Sequence, residues 1–530
     1  MKKKILSLFF SFLPFLIFAQ EQSTSEKIDA TFRGLTQWFI DLIFYSIPIT
    51  DTIGIPWVLL VLLGGATYFT FNFKFVQFRL FRTSIRVVKG DYDEMDEKGA
   101  QDVHPSEDDL TVVDGDLPET IKVEGHHGEV SHFQALSAAL SATVGLGNIA
   151  GVAVAISIGG PGATFWMILA GLLGMASKFA ECTLGVKYRD VGPDGTVYGG
   201  PMYYLTKGLK EKGLGMLGKI LAVFFAVMVI GGSFGGGNMF QANQAAAQFV
   251  KLFNLTHDNA GMFFGIGMAI IVAVVIIGGI KRIASVTEKI VPFMAVLYVG
   301  AALVIIVLDF KLIPAAVGQI IDGAFSPTGI AGGFVGVLIQ GFRRGTFSNE
   351  AGVGSAAIAH SAVKTKYPAS EGIVALLEPF IDTVVICTMT ALVLVITNIK
   401  GGYFDYGIAV KEGVELTATA FDSVIPHFSI ALTVAVILFA FSTMISWSYY
   451  GMQGWKFLFG KSKITDLIYK LLFLFFVVVG ASISLGSVID FSDAMIFAMV
   501  VPNMIGVVIL SPKIKQELNK YLKAIRANKN

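Results

Sequence analysis

Residues 141–155 of the 530-residue chain read SATVGLGNIAGVAVA. The stretch is apolar enough for a bilayer, yet Gly145, Gly147, Asn148 and Gly151 at its centre make a poor continuous helix. Lipid offers no hydrogen bonds, so unwound backbone at membrane depth persists only where it lines a cavity or is buried in protein. Such a break does its chemistry with peptide groups. A half-helix starting near Asn148 would aim free N–H groups and a positive dipole end into the gap, which favours an anion such as a carboxylate. The half ending near Val144 leaves carbonyls without intrahelical partners, and these suit a small hard cation. Close helix packing through small residues is the competing reading for a single segment of this kind.

A second interrupted segment lies at 340–362, QGFRRGTFSNEAGVGSAAIAHSA, with Asn349 and Glu350 beside its glycines. The two are the second and seventh apolar segments, and an odd separation of five makes the second copy enter from the opposite face, as in inverted-topology repeats. Intramembrane polar groups are the next pointers, because each costs free energy unless paired or wetted. Glu378 and Asp382 stand one turn apart, with Arg343 and Arg344 placed to neutralise them; Glu378 is expected in a structural charge pair and Asp382 at the site. Asn238 and Gln241, at i and i+3, are expected on one side of the fourth segment, as ligand contacts or in an interhelical bond. Adjacent Ser442 and Thr443 offer two hydroxyl oxygens at membrane depth, although such hydroxyls usually bond back to their own helix.

The elements that must position these groups follow from composition. With 54% hydrophobic and 15% charged residues and a mean hydropathy of +0.68, the chain is too apolar for a soluble globule. A net charge of +1 gives nucleic acid no electrostatic footprint. Cys182 and Cys387 fall in apolar runs and read as buried, inert thiols. Residues 1–19 read as a signal peptide cleaved near Ala19, the alternative being an uncleaved first helix. Residues 20–54 form an extracytoplasmic segment. Spanning segments are expected at about 55–73, 133–158, 163–186, 218–249, 260–279, 289–308, 330–360, 371–397, 427–457, 466–486 and 492–511, about eleven transmembrane helices. Lys and Arg cluster after every odd-numbered span, for example Arg79, Arg82 and Arg86 after the first and Lys281 and Arg282 after the fifth. The mature N-terminus is therefore expected outside and the tail, 512–530, in the cytoplasm of a bacterial-type plasma membrane. Residues 90–130 form an acidic cytoplasmic insert, with β character near TIKVEG and with His126, His127 and His132 lacking the repeated spacing of a metal site.

TVGLGNIAGVA, RRGTFSNEAGVGSAAIAHSA, EPFIDT, FAFSTMISWSYYG and FVQFRLF together resemble the alanine or glycine:cation symporter family, over about residues 55–511 and apart from the acidic insert and both tails. The resemblance implies an all-α fold of the leucine-transporter type: two five-helix inverted repeats, 133–308 and 330–511, preceded by one extra helix. It also implies import of alanine or glycine driven by sodium. Carried over by position, the substrate carboxylate would meet Thr143, Gly145, Leu146, Gly147 and Asn148, and its ammonium would meet Thr346 and Asn349; Asn238 and Gln241 remain candidate substrate contacts from the reading of the fourth segment itself. Sodium would take backbone oxygens of Ser141, Val144 and Phe439 with the hydroxyls of Ser442 and Thr443, and Asp382 is a candidate second cation ligand. No organic cofactor is implied.

Glycines at 145, 147 and 235–237 leave little volume, so selection against larger side chains would be steric. A proton-coupled symporter is the alternative, followed by an ion channel, although the chain shows no repeated filter-like loop. An intramembrane enzyme would need a nucleophile with a base, and no Ser-His arrangement or HExxH falls within a span; His360 is expected at a cytoplasmic end.

Overall fold

A chain this apolar must satisfy its peptide groups internally, and helices do so within one segment. The computed structural model describes residues 24–48, 54–97, 128–192, 195–257, 259–326, 333–408 and 413–528. The first nineteen residues, the TIKVEG stretch, His126 and His127 lie outside these. The N-terminal arm is α1 (Thr24–Ile43) and a hairpin of β1 (Ser46–Pro48) and β2 (Gly54–Pro56), with Ile47 opposite Ile55. Then come α2 (Trp57–Asn72), α3 (Val76–Arg79), α4 (Phe81–Val88) and α5 (Asp93–Glu97).

The core starts with α6 (His132–Thr143) and α7 (Val152–Gly159), followed by α8 (Ala163–Lys187). A second hairpin, β3 (Asp190–Val191) with β4 (Val197–Tyr198), leads to α9 (Pro201–Glu211), α10 (Gly215–Phe234), α11 (Phe240–Leu252), α12 (Ala260–Ile276), α13 (Gly279–Leu308) and α14 (Ile313–Phe325). The remainder is α15 (Gly333–Asn349), α16 (Ala356–His360), α17 (Pro368–Val374), α18 (Leu377–Pro379), α19 (Thr388–Gly401), α20 (Gly413–Asp422), α21 (Phe428–Phe459), α22 (Lys463–Gly480) and α23 (Leu485–Ala527).

Among the described residues, six helical runs are long and apolar enough to cross a membrane: α8, α10–α11, α13, α17–α19, α21 and Leu485–Ile509 of α23. The segment His132–Gly159 adds a seventh, bent by 50° between α6 and α7. Helix α8 lies at the centre, with Lys178, Glu181 and Phe179 fully buried, packed on α2, α15, α16 and α17. By contrast α12 and α13 turn Ile270, Val274, Val296 and Val307 outward, as a lipid-facing surface requires.

Several helices carry no spanning signal and were not expected. Amphipathic α1 lies on α23: Phe32 meets Phe491 edge-on at 5.0 Å, Arg33 Nε donates to Ser487 Oγ at 2.9 Å, and Ser484 Oγ donates to Asp29 Oδ1 at 2.7 Å. Helices α9, α14 and α20 are too short to span, and α23 continues through Pro502 and Pro512 into the basic tail.

Three runs widen to π-helical turns, Gly147–Gly151, Gly235–Met239 and Phe380–Cys387, all on segments that face the breaks. At Gly237 a side chain would meet Trp447 Cγ at 2.2 Å. Gly237→Ala should therefore destabilise the protein by about 1–3 kcal/mol, the usual cost of overpacking. Gly267→Ala, where nothing lies within 4 Å, should leave the thermal midpoint in detergent unchanged; equal midpoints for the two variants would show that the close approach has no energetic weight.

Candidate functional site

The first break opens where α6 ends. Val144, at ψ 85°, leaves the helical region after donating to Leu140 O at 2.7 Å. The next two amides have side-chain partners instead of carbonyls one turn back. Gly145 N–H donates to Asn148 Oδ1 at 2.9 Å, and Leu146 N–H donates to Gln241 Oε1 at 3.1 Å. Two amide oxygens thus stand where a carboxylate would bind. Gly145 is needed for proximity, since a Cβ there would lie 2.5 Å from Thr443 Oγ1, whereas a Cβ on Gly147 would make ordinary contact with Ser348 Cα at 3.5 Å.

The second break follows α15. Glu350 N–H still reaches Thr346 O at 2.8 Å, but Glu350 itself has φ +55°, and Gly352 and Gly354 have φ +84° and +92°, a left-handed path that only resumes as α16. Asn349 closes this break: its Oδ1 accepts from Ala351 N–H and its Nδ2 donates to Thr383 Oγ1, both at 2.9 Å. Glu350 accepts from Trp447 Nε1 at 3.0 Å and from Ser355 Oγ at 2.5 Å.

Asp382 joins the two breaks. Its Oδ1 accepts from Asn148 Nδ2 at 2.7 Å, and its Oδ2 accepts from Ser348 Oγ at 2.8 Å and Thr383 Oγ1 at 2.7 Å. Asn148 belongs to the first interrupted segment and Ser348 to the second, so one buried carboxylate ties together groups from both. Cys387 Sγ lies 3.3 Å from both Asn148 Nδ2 and Ser348 Oγ, which places this buried thiol at the junction, among polar groups.

Below the first break, α6 and α21 meet through oxygen. Ser141 Oγ donates to Ser442 O at 2.7 Å, Thr443 Oγ1 to Ser141 O at 3.0 Å, Ser446 Oγ to Ser141 Oγ at 3.1 Å, and Ser442 Oγ to Phe439 O at 3.0 Å. All of these residues are buried. A buried cluster of hydroxyls and carbonyls offers the hard oxygen donors an alkali cation takes, so the residues fit the sodium expected there.

Ser141, Gly145, Leu146, Gly147, Asn148, Gln241, Asn349, Asp382, Phe439, Ser442 and Thr443 are therefore grouped around the two breaks. Val144 is the residue at which the first one opens. Thr346 contributes its carbonyl to the last turn of α15. Thr143 Oγ1 bonds back to Ala139 O at 3.3 Å.

Two expectations are corrected. Asn238 makes an interhelical bond, one of the two roles expected of it, its Nδ2 donating to Phe473 O at 2.6 Å, but it does not share a side with Gln241, whose Nε2 returns to Gly236 O at 3.0 Å, because the π turn at Gly235–Met239 changes the angular step between them. Nor do Arg343 and Arg344 neutralise Glu378. Both arginines pair with Asp493 of α23, Arg343 Nε at 2.7 Å, while Glu378 Oε1 takes Lys178 Nζ of α8 at 2.9 Å. The fold brings Asp493 of α23 to the arginines and Lys178 of α8 to Glu378. Ser348, Thr383, Ser446 and Cys387 are site neighbours that sequence reasoning missed; for Ser348 the signal was its position beside Asn349 in the broken segment.

The family model for the sodium:alanine symporter family matches residues 116–530. The sodium/alanine symporter AgcS of Methanococcus maripaludis is 43% identical over 406 residues, covering 76% of this chain and 87% of that protein. The putative sodium/proton-dependent alanine carrier protein YrbD of Bacillus subtilis is 34% identical over 76% of this chain and 84% of its own length. The probable sodium/glutamine symporter GlnT, also of Bacillus subtilis, is 32% identical over 89% of each chain. Among solved structures, MhsT in complex with L-phenylalanine matches with a TM-score of 0.50 at 14% identity, over 73% of this chain and 90% of that one, a likeness of fold alone. Two interrupted helices, joined by a carboxylate and flanked by a hydroxyl cluster, are thus found in a chain that belongs to the sodium:alanine symporter family, a multi-pass membrane transporter rather than an enzyme, that couples amino-acid movement to a cation.

Proposed function

We propose that this protein imports a small neutral amino acid, alanine or glycine, together with sodium, by alternating access. The observation that carries the reading is the capping of Gly145 and Leu146 N–H groups by the amide oxygens of Asn148 and Gln241. A substrate carboxylate would take over those two donors, with the positive end of the following helical turn behind it. The ammonium would be met at the second break by acceptors near Thr346 and Asn349. Sodium would be held by Ser141, Val144, Phe439, Ser442 and Thr443, with Asp382 as a second cation ligand. Phe240 and Phe347, edge-on at 5.4 Å, lie next to Gln241 and Ser348 in sequence and restrict the volume left for a side chain.

The proposed topology has spans 133–308 and 330–511 as inverted halves, the basic connections in the cytoplasm and the mature N-terminus outside. Sodium raises amino-acid affinity by completing the carbonyl and hydroxyl cluster on which the break rests, and by linkage the amino acid raises sodium affinity by the same factor. Buried Asp382 favours one second reading, a proton in place of sodium. Uptake of labelled alanine into proteoliposomes discriminates between them. Accumulation is expected with an inward sodium gradient and not with potassium replacing sodium at equal pH on both sides. Accumulation driven equally by a pH gradient alone would overturn sodium coupling, and flux without any gradient would indicate a channel.

A further inference from the structure

The mechanism above leaves unused a chain of buried ionisable groups below the second break. Glu371 of α17 uses both carboxylate oxygens: Oε2 meets Nδ1 of His132, the first residue of α6, and Oε1 meets Nδ1 of His360, the last residue of α16, at 2.5 Å. One carboxylate therefore ties together the ends of both broken segments on the side where the basic connections lie. The backbone supports the same junction: Glu129 N–H donates to Ala362 O at 2.7 Å, and Lys364 N–H donates to Val130 O at 2.8 Å.

His360 has carboxylates at both ring nitrogens. Its Nε2 lies 3.4 Å from Glu378 Oε2, and these two buried atoms are each without a hydrogen-bond partner. A neutral imidazole has one N–H for two carboxylates, so one nitrogen lone pair must face an oxygen lone pair. One added proton turns both contacts into charge-assisted hydrogen bonds and satisfies both orphaned atoms.

We propose that His360, with Glu371 and His132, is a proton-binding site that clamps the cytoplasmic gate shut when occupied. The inference takes its sidedness from the proposed function. The ligand is a proton from the cytoplasm, entering at His132, the part of the chain that retains some exposure (9%, against 0% for His360 and Glu371). Other charged groups near His360 are Glu378 of α18 and Lys178 and Glu181 of α8; Lys178 is committed to Glu378, and Glu181 accepts from Asn503. Arg189, just past α8, is held by the carbonyls of Ser361, Val363 and Thr365. Around His132, α13 presents Glu288, held by Gln134 Nε2 at 2.9 Å, α4 carries exposed Arg82 and Arg86, and Glu129 precedes the helix and accepts from Val197 N–H. On the far side of α17, α23 presents Glu517, paired with Lys187. Within this set, the imidazoles are the groups that titrate between pH 6 and 8 when unperturbed.

The sign follows from linkage. A proton held more tightly with the gate closed stabilises closure at low pH, and that stabilisation is lost as pH rises, by about tenfold in the opening equilibrium per pH unit for one proton. Opening therefore releases a proton to the cytoplasm, and an acid cytoplasm opposes opening. The test is backbone hydrogen exchange of the full-length protein in nanodiscs, from pH 6 to 9 and corrected for the intrinsic pH dependence of exchange, read at the amides of Glu129, Val130 and Lys364. Protection is expected to fall about tenfold across one pH unit in the wild type. The slope should flatten in His360→Gln and in His132→Gln, and protection in Glu371→Gln should be low throughout. A flat wild-type profile, or a wild-type slope retained in both histidine variants, overturns the clamp. Sodium-dependent alanine binding in the same samples is scored separately: its loss in the wild type would end the symport reading, while the exchange profile would still decide the proton site.

Discussion

Thr443→Ala should raise the sodium concentration needed for half-maximal alanine uptake at least tenfold while leaving the amount of inserted protein unchanged. The hydroxyl bonds Ser141 O across the α6–α21 contact and stands next to Gly145, so it is both a proposed cation ligand and part of the surface on which the first break rests. An interaction between a hydroxyl and a charged partner is worth about 1.5–3 kcal/mol, and each ~1.4 kcal/mol is a factor of ten in affinity. Thr443→Ser keeps the oxygen and should keep the sodium curve within about fivefold, since the remaining difference is a methyl group of ~1 kcal/mol or less. Reciprocity adds a second readout: at saturating sodium the alanine variant should recover wild-type alanine affinity, because the defect lies in the ion that orders the site. A sodium curve that does not move in Thr443→Ala would place the cation elsewhere.

The parts of this architecture that were legible in the sequence are those set by local physics. Apolar length marks where a helix must cross, and among the described residues six helical runs, or seven with the bent pair, have the length and composition to do so. Clustered glycine beside Asn148 and Asn349 marks where helices come apart, because few other sequences give up backbone hydrogen bonds at that depth. Partners were not legible. The separations from Lys178 to Glu378 and from Arg344 to Asp493 span 200 and 149 residues, and no spacing rule connects them. Arg343 and Arg344 are the bases inside a neighbouring apolar segment and so are available to Glu378 on sequence grounds, whereas the fold brings α8 to Glu378 and α23 to Arg344. Nor could periodicity place Asn238, since a π turn is invisible to a 3.6-residue count. Amphipathic α1 was missed for a different reason: a helix lying on the bundle leaves no length signature.

Lys178→Met should be the most damaging single substitution to stability, about 3–5 kcal/mol, the cost of stranding a buried charge. Lys178 Nζ and Glu378 Oε1 are 2.9 Å apart with both side chains wholly buried. Without the ammonium, the basic partner left to Glu378 among the described residues is His360, at 3.4 Å, which must then carry a proton for two carboxylates at once. The double variant Lys178→Met with Glu378→Gln removes both charges and should recover most of the loss, because a desolvated ion pair contributes little beyond what a neutral replacement does. The surface pair Lys251–Glu415, 2.5 Å apart but about half exposed on each side, is the control. Lys251→Met should change stability by less than about 1 kcal/mol, since water screens that charge whether or not it is paired. Thermal midpoints in detergent for the four proteins, with the wild type as reference, decide the matter. If Lys178→Met behaves like Lys251→Met, then water reaches the ammonium, and the interior below the second break is wet.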